Sequence, residues 1–307
     1  MIRNISLRIY ETQIGILSLE LANETYDKLD DIIKINDFGK RIYPQYLDAA
    51  KGIEGTKESF LANRIEFILN GKYSHELYDD TCTFRKKHIV LARFISTLLG
   101  EHIFSCKQES DKYTIYPTID DRMYVVCWFG SDADAYRFRQ KHLGGKYAYE
   151  SSSEWYRYIF HDGKSPNCQH DKMRQRLIEN NTYERWADYG TLYGISRYGL
   201  VCVSDHSGFS NNVLAIHMRK QYAQMAVLLL SQRASILRFL QKVSDISNQI
   251  KKVETGQESP KEMKEITKTV AKLHADYIRF VNRMWFTEIT PQAGNRNVRN
   301  SNYQHAP

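Results

Sequence analysis

The chain has 307 residues, 42% hydrophobic and 26% charged, with 43 basic side chains against 36 acidic ones and a formal net charge of +7. That length suffices for one large domain or two modest ones with real cores. Six prolines and 16 glycines exclude collagen-like, low-complexity and mostly disordered chains.

The excess charge eases approach to an acidic partner but is not gathered into one block, so it does not by itself mark a dedicated nucleic-acid binder. The 5 cysteines (Cys82, Cys106, Cys127, Cys168 and Cys202) are odd in number and widely spaced, which fits reduced thiols in the cytoplasm. Arg8 and Glu11 interrupt the first segment before a secretion signal's apolar core could form. The most apolar stretch, Met225 to Leu230, lies in an uncharged window from Gln221 to Gln232. A membrane span needs about 20 mostly apolar residues, so none is expected in this chain.

In chain order, Leu17, Leu19 and Leu21 alternate with Ser18 and Glu20 as a half-buried strand. A helix over 27–37 follows, with Leu29, Ile32, Ile33 and Asn36 at helical spacing and Gly39 as its stop. Ile65, Phe67 and Leu69 predict a second strand, and 84–99 a helix ending at Gly100. Residues 123–129 read as a buried strand and 133–142 as a helix closed by Gly144 and Gly145. The bulky run 155–160 predicts a strand, 172–180 a helix and 200–204 a last short strand.

From Val213 to about Lys252 the chain contains neither glycine nor proline. Met218, Met225, Gln232, Phe239 and Ile246 form one column at seven-residue spacing; Tyr222, Leu229, Ile236, Val243 and Ile250 form a second. These are the core positions of a heptad seam, and its one polar occupant, Gln232, is the type of residue that fixes register. After a turn at 254–257, Ser259, Pro260 and Glu262 predict a capped helix start. The second helix carries Met263, Ile266, Val270, Leu273, Tyr277, Phe280 and Met284 as its seam. The expected fold class is therefore α+β (α/β). A mixed domain over 1–210 would precede a long antiparallel helical hairpin or coiled-coil stalk over 211–290 and a disordered tail over 291–307.

Two constellations could carry chemistry. His161, Asp162 and His170 are residue types that zinc or another divalent cation accepts, although the paired ligand spacing is missing. Tyr193, Arg197 and Tyr198 lie among Gly190, Gly194 and Gly199; base stacking on tyrosine with arginine on a phosphate would suit a nucleotide. The competing account of this segment is a tight helix-to-strand connection with aromatic packing. Neither GxGxxG nor a Walker A loop occurs. Asp205, His206 and Ser207 adjoin in sequence and cannot form a catalytic triad among themselves, so 204–212 reads as a loop, with Asn211 or Asn212 capping the long helix. No catalytic residue is nominated, and the chain is read as not being an enzyme.

The segments Ile33-Lys-Ile-Asn-Asp-Phe-Gly-Lys-Arg-Ile-Tyr-Pro44, Asp188-Tyr-Gly-Thr-Leu-Tyr-Gly-Ile-Ser-Arg-Tyr-Gly-Leu200, Met225-Ala-Val-Leu-Leu-Leu-Ser-Gln-Arg-Ala-Ser-Ile-Leu-Arg-Phe239 and Phe280-Val-Asn-Arg-Met-Trp-Phe-Thr-Glu-Ile-Thr290 resemble a divergent bacterial branch of the CorA-like divalent-cation transporter superfamily. The chain lacks that family's two C-terminal membrane helices and Gly-Met-Asn motif. The resemblance implies the cytosolic sensor and stalk region of a transporter or ligand-gated membrane effector, assembled as a homo-oligomer, a pentamer in the family. It also implies regulation by magnesium or another divalent cation, or by a nucleotide messenger of the kind associated with CRISPR-linked relatives. The full-length form would then be attached to the membrane. The alternative expectation is a standalone soluble protein that binds nucleotide or nucleic acid.

Overall fold

The structure, a computed structural model, describes residues 1–40, 64–69, 71–77, 118–120, 122–142, 144–255 and 260–285. The helix expected over 84–99, the cap at Ser259 and the tail over 291–307 lie outside the described residues. The chain divides into two units, one made of Met1–Thr25 with Asn212–Pro307, the other of Tyr26–Asn211. The N-terminal segment thus groups with the C-terminal helices, where the sequence had suggested a single domain over 1–210.

In the discontinuous unit, β1 (Ile2–Ile9) pairs antiparallel with β2 (Gly15–Leu21), with Ile5 opposite Leu19 and Leu7 opposite Leu17. The half-buried strand read from Leu17 and Leu19 is therefore half of a hairpin, and Leu21 at its end is exposed. The long helical run begins with wide turns at Ser210–Leu214 and Met218–Tyr222 and continues as α5 (Ala223–Glu254). α6 (Pro260–Met284) returns antiparallel to it. With 32 and 25 residues they extend over about 48 and 38 Å.

One column of each helix is closed off in their contact. Phe239 sits 5.5 Å from Phe280 and 5.6 Å from Tyr277, ring centroid to ring centroid. Gln232, Phe239 and Ile246 are buried, as are Ile266 and Phe280 of α6, and the same column stays buried at Met225 and Met218 before the point where α6 ends. The second column behaves differently: Leu229 is buried, but Val243 is 54% exposed, and Val270 and Tyr277 on α6 are 43% and 49% exposed. Gln232 explains its place in an apolar seam, because its Nε2 donates to the carbonyl of Met284 at 2.5 Å, in the last turn of α6. Carbonyls there have no partner within the helix.

The hairpin turn ties both helices. Thr12 and Ser235 share a hydroxyl hydrogen bond of 2.8 Å, Gln13 accepts from Arg238, and Glu11 pairs with Arg283 of α6 at 2.6 Å. Ser231, Ala234 and Ser235 are fully or almost fully buried; side chains this small permit close approach to α5.

In the contiguous unit, a four-stranded sheet runs in the order β5-β8-β7-β6: β5 (Val125–Gly130), β6 (Thr182–Trp186), β7 (Thr191–Ser196) and β8 (Gly199–Ser204). β5 and β8 are parallel; β8, β7 and β6 are antiparallel in turn. β3 (Arg64–Leu69) and β4 (Lys72–Leu77) form a separate antiparallel hairpin. Helices α1 (Leu29–Gly39), α2 (Asp132–Arg139), α3 (Ser153–Phe160) and α4 (Asp171–Asn181) contribute to the core. Leu29, Ile32 and Ile33 of α1 enter it on the spacing read from the sequence.

Two expectations are corrected here. Residues 155–160 are a helix and not a strand: Ser152 caps α3 by accepting from the Trp155 amide at 3.1 Å, and Trp155, Tyr156, Arg157, Tyr158 and Ile159 are all buried. A helix covered on every side has no polar stripe to reveal its period. The connection expected over 190–199 is instead strand β7 and a two-residue turn, Arg197-Tyr198, into β8.

Phe280 is 2% exposed and lies against Phe239, Tyr277 and Trp285. Phe280→Ala is expected to cost about 3–5 kcal/mol by removing this aromatic contact and leaving a cavity. Denaturant unfolding followed by circular dichroism measures it.

Candidate functional site

The three glycines of 190–199 are packing positions. Gly190 has φ 75°, and a Cβ there would lie 2.7 Å from the carbonyl oxygen of Ala135 in α2. A Cβ at Gly194 would lie 2.5 Å from the Ile159 side chain, so its absence lets α3 rest directly on β7. A Cβ at Gly199 would overlap Nε2 of His161 and lie 2.6 Å from the Val125 carbonyl. Ser196 completes the contact by donating to the Ile159 carbonyl at 2.9 Å.

His161 follows α3 in a left-handed conformation, φ 56°, and its ring is 1% exposed with neither nitrogen hydrogen-bonded. Burial, with the Lys40 cation nearby, lowers its pKa to about 3, so the imidazole is neutral. Lys40, itself buried, pairs with Asp37 at 2.8 Å and donates to the His161 carbonyl at 2.8 Å. Asp37 also accepts from the Gly163 amide at 3.1 Å. Arg157 donates to the carbonyls of Asp162 and Gly163 and pairs with Asp30 at 2.8 Å. Asp162 spends its carboxylate on Asn167, accepting from the backbone amide at 2.9 Å and from Nδ2 at 2.6 Å. Burial raises the Asp162 pKa, opposed by the Asn167 amide.

The structure therefore does not gather His161, Asp162 and His170 as ligands. His170 lies exposed at the start of α4, where Nδ1 accepts from the Met173 amide at 3.2 Å. Among the described residues no three His, Cys, Asp or Glu side chains converge in a way that could hold a metal. What the loop over 161–167 does hold is a network in which two cations, Lys40 and Arg157, bond the carbonyls just beyond α3. Carbonyls at a helix end need such partners. Lys40 and Asp37 escaped sequence reading because they reach this loop across a long stretch of chain, Lys40 being 121 positions from His161; Arg157 was hidden inside the run 155–160, which read as a strand.

Tyr193, Arg197 and Tyr198 divide into two groups. Tyr193 is 4% exposed and packs edge-on against Tyr183 and Trp186, at 6.4 and 6.0 Å. Tyr198 is half-buried in the turn between β7 and β8, its ring flanked by two guanidinium groups, Arg122 at 4.9 Å and Arg197 at 5.1 Å. Arg122 is paired with Asp120 at 2.8 Å, whereas no carboxylate among the described residues pairs with the exposed Arg197. An exposed guanidinium beside a half-exposed ring is suited to an anionic, planar ligand. Arg122 had no local signal, being 76 positions from Tyr198.

The loop expected over 204–212 is shorter than that: Ser204 ends β8, only 205–207 form the loop and the helical run begins at 208, with Ser207 as its cap, whose Oγ accepts from the Ser210 amide at 3.2 Å. Asp205 accepts from the Ser207 amide and hydroxyl and from the Ser210 hydroxyl. Asn211 instead donates from its side chain to the His206 carbonyl.

No protein-family model, curated protein or solved structure matches the chain. The CorA-like resemblance thus rests on the quoted segments alone. No helix among the described residues is long and apolar enough to cross a membrane.

Gly199→Ala is expected to destabilise by about 1–3 kcal/mol, since the new methyl meets both a buried ring and a backbone carbonyl; thermal melts test it. His161 makes a second prediction. Unfolded, it takes up a proton near pH 6.5; folded, it resists to about 3, so its contribution is intact above 6.5 and lost as pH falls. Asp162, with its raised pKa, acts in the opposite sense where it titrates, so the His161 contribution is read in a window that opens just below pH 6.5. Denaturant midpoints should fall across that window in the natural protein and stay flatter in His161→Asn, which retains a residue tolerant of the left-handed conformation.

Proposed function

We propose that this chain is a regulatory interaction protein, the cytosolic sensor region that the CorA-like resemblance implies, and that it does not itself catalyse a reaction. The observation that carries this reading is the paired α5 and α6, whose facing columns are buried while Val243 of α5 and Val270 and Tyr277 of α6, beside those columns, stay exposed. Rods of this kind transmit or receive contacts with other chains. In this reading the chain is cytoplasmic and forms a homo-oligomer, a pentamer if it follows the family, and its ligand is a divalent cation or a nucleotide.

A second reading, a standalone nucleotide-binding interaction protein, draws on the Arg122–Tyr198–Arg197 array, where a phosphate would meet Arg197 and a base would meet the tyrosine ring. Light scattering of the full chain, with and without magnesium and a panel of nucleotides, separates the two. A ligand-dependent change in mass supports the sensor. A monomer of constant mass that binds nucleotide, and loses about tenfold in affinity in Arg197→Ala, supports the second reading. A monomer that responds to nothing overturns both.

A further inference from the structure

One flank of the α5–α6 pair is polar, and its charges do not cancel. With about 100° of turn per residue, Ser235, Lys242 and Arg238 of α5 lie roughly 40–100° to one side of buried Phe239. Asp276, Arg283, Lys272 and Arg279 of α6 lie over the same range, in the same sense, from buried Phe280. Two antiparallel helices rotated in the same sense present the same flank. The turn between β1 and β2 bears this out, since its three residues all touch that flank: Thr12 bonds Ser235, Gln13 accepts from Arg238 and Glu11 pairs with Arg283.

Carboxylates account for only part of the basic charge there. Arg283 is paired with Glu11 at 2.6 Å, Arg279 with Asp276 at 3.2 Å, and Lys268, one turn before Lys272, with Glu265 at 2.7 Å. Asp245 accepts instead from the Gln241 amide at 2.9 Å. Among the described residues no carboxylate pairs with Arg238, Lys242 or Lys272. Arg238 and Lys242 stand one helical turn apart, both half-buried, and the Nε of Arg238 is enclosed without a hydrogen-bond partner. Partial burial, with Arg238 and Lys272 close by, lowers the Lys242 pKa against the opposing pull of Asp276. Like charges one turn apart weaken a helix, and nothing in the packing of the pair calls for them here.

We propose that Arg238, Lys242 and Lys272 bind the linked phosphate groups of a small polyanion, pyrophosphate or the polyphosphate of a nucleotide. Side chains one turn apart stand about 5–6 Å from each other at Cβ, and packed helices about 8–10 Å apart between axes. Linked phosphates present several acceptor oxygens and a concentrated charge, so one ligand meets cations from both helices at once. Gln13 holds the Arg238 guanidinium in place for that contact. A flexible acidic peptide is the poorer occupant, because each carboxylate brings a single charge and must be ordered separately. These residues belong to the discontinuous unit and Arg197 to the contiguous one, so the two candidate phosphate contacts can be tested apart.

The test is calorimetric titration of the full chain with inorganic pyrophosphate, ATP and a short oligoglutamate peptide. Pyrophosphate should bind, and more weakly as salt rises. Lys242→Gln and Lys272→Gln should each weaken it by about tenfold or more. Lys251→Gln, which removes the same charge from an exposed position on the other flank of α5, should not, and neither should Arg197→Ala. Without ligand, Lys242→Gln and Lys272→Gln should raise the melting temperature, because they relieve repulsion; lysines with a merely structural role would lower it. Affinity for ATP well above that for pyrophosphate, and removed by Lys242→Gln, supports the proposal with a nucleotide as the source of the phosphates. Equal affinities support it with pyrophosphate.

Absence of pyrophosphate binding overturns the proposal. So does an equal loss in Lys251→Gln, tighter binding of the glutamate peptide than of pyrophosphate, or a lower melting temperature in both ligand-free lysine variants. The site requires no change of oligomeric state, so its fate is separate from that of the sensor reading. Pyrophosphate binding that Lys242→Gln removes, with a mass that stays constant in light scattering, removes the sensor and leaves the site.

Discussion

The contiguous unit depends on how closely α3 approaches the hairpin of β7 and β8. Gly194 admits the Ile159 side chain, Gly199 admits the His161 ring, and Ser196 bonds the carbonyl of Ile159. With side chains in place of the two hydrogens, α3 would have to lift away, and the layer containing Trp155, Tyr158 and Ile178 would lose its contact with Leu192 and Val201. The Trp155 indole is held by the Thr182 hydroxyl at 2.9 Å, and the Tyr158 hydroxyl by the Cys127 sulfur at 3.2 Å. The polar groups of these two buried rings are therefore paired, as burial requires.

The same close approach accounts for the charged network at the end of α3. Once the helix is buried on every side, the carbonyls beyond its last turn have little access to water. Lys40 and Arg157 supply donors, and Asp37 and Asp30 balance their charge. His161 is the exception, enclosed with both nitrogens unbonded. Its burial costs solvation that the neutral ring keeps modest.

Where a sequence pattern reflected a two-sided environment, it could be read. α1 placed Leu29, Ile32, Ile33 and Asn36 inward because one face of that helix is covered and the other is not. β5, β8, α2 and α4 were likewise visible in their apolar runs and glycine or asparagine borders. The pattern failed where both faces are covered: α3, rich in aromatic residues, looked like a strand, and β7, interrupted by Gly194, looked like a connection. β1 carried no alternation of its own strong enough to register, since its residues are mostly exposed or half-buried. Of the site, Tyr198 and Arg197 were legible as neighbours, but Arg122 and Lys40 reach their positions only through tertiary structure. The heptads of α5 located the buried column correctly. They could not indicate that Val243 in the adjoining column would be left exposed while Leu229 is buried, because periodicity describes an apolar face and not what covers it.

The clasp between Thr12 and Ser235 joins residues 223 positions apart. During synthesis, the strand pair holding Thr12 emerges long before α5 exists, and a lone two-stranded hairpin is marginal in water. It must remain unpaired, or be shielded by other factors, until the ribosome has passed the whole contiguous unit. Assembly of the discontinuous unit is thereby deferred to a late stage of translation, and contacts of such long range make its closure intrinsically slow.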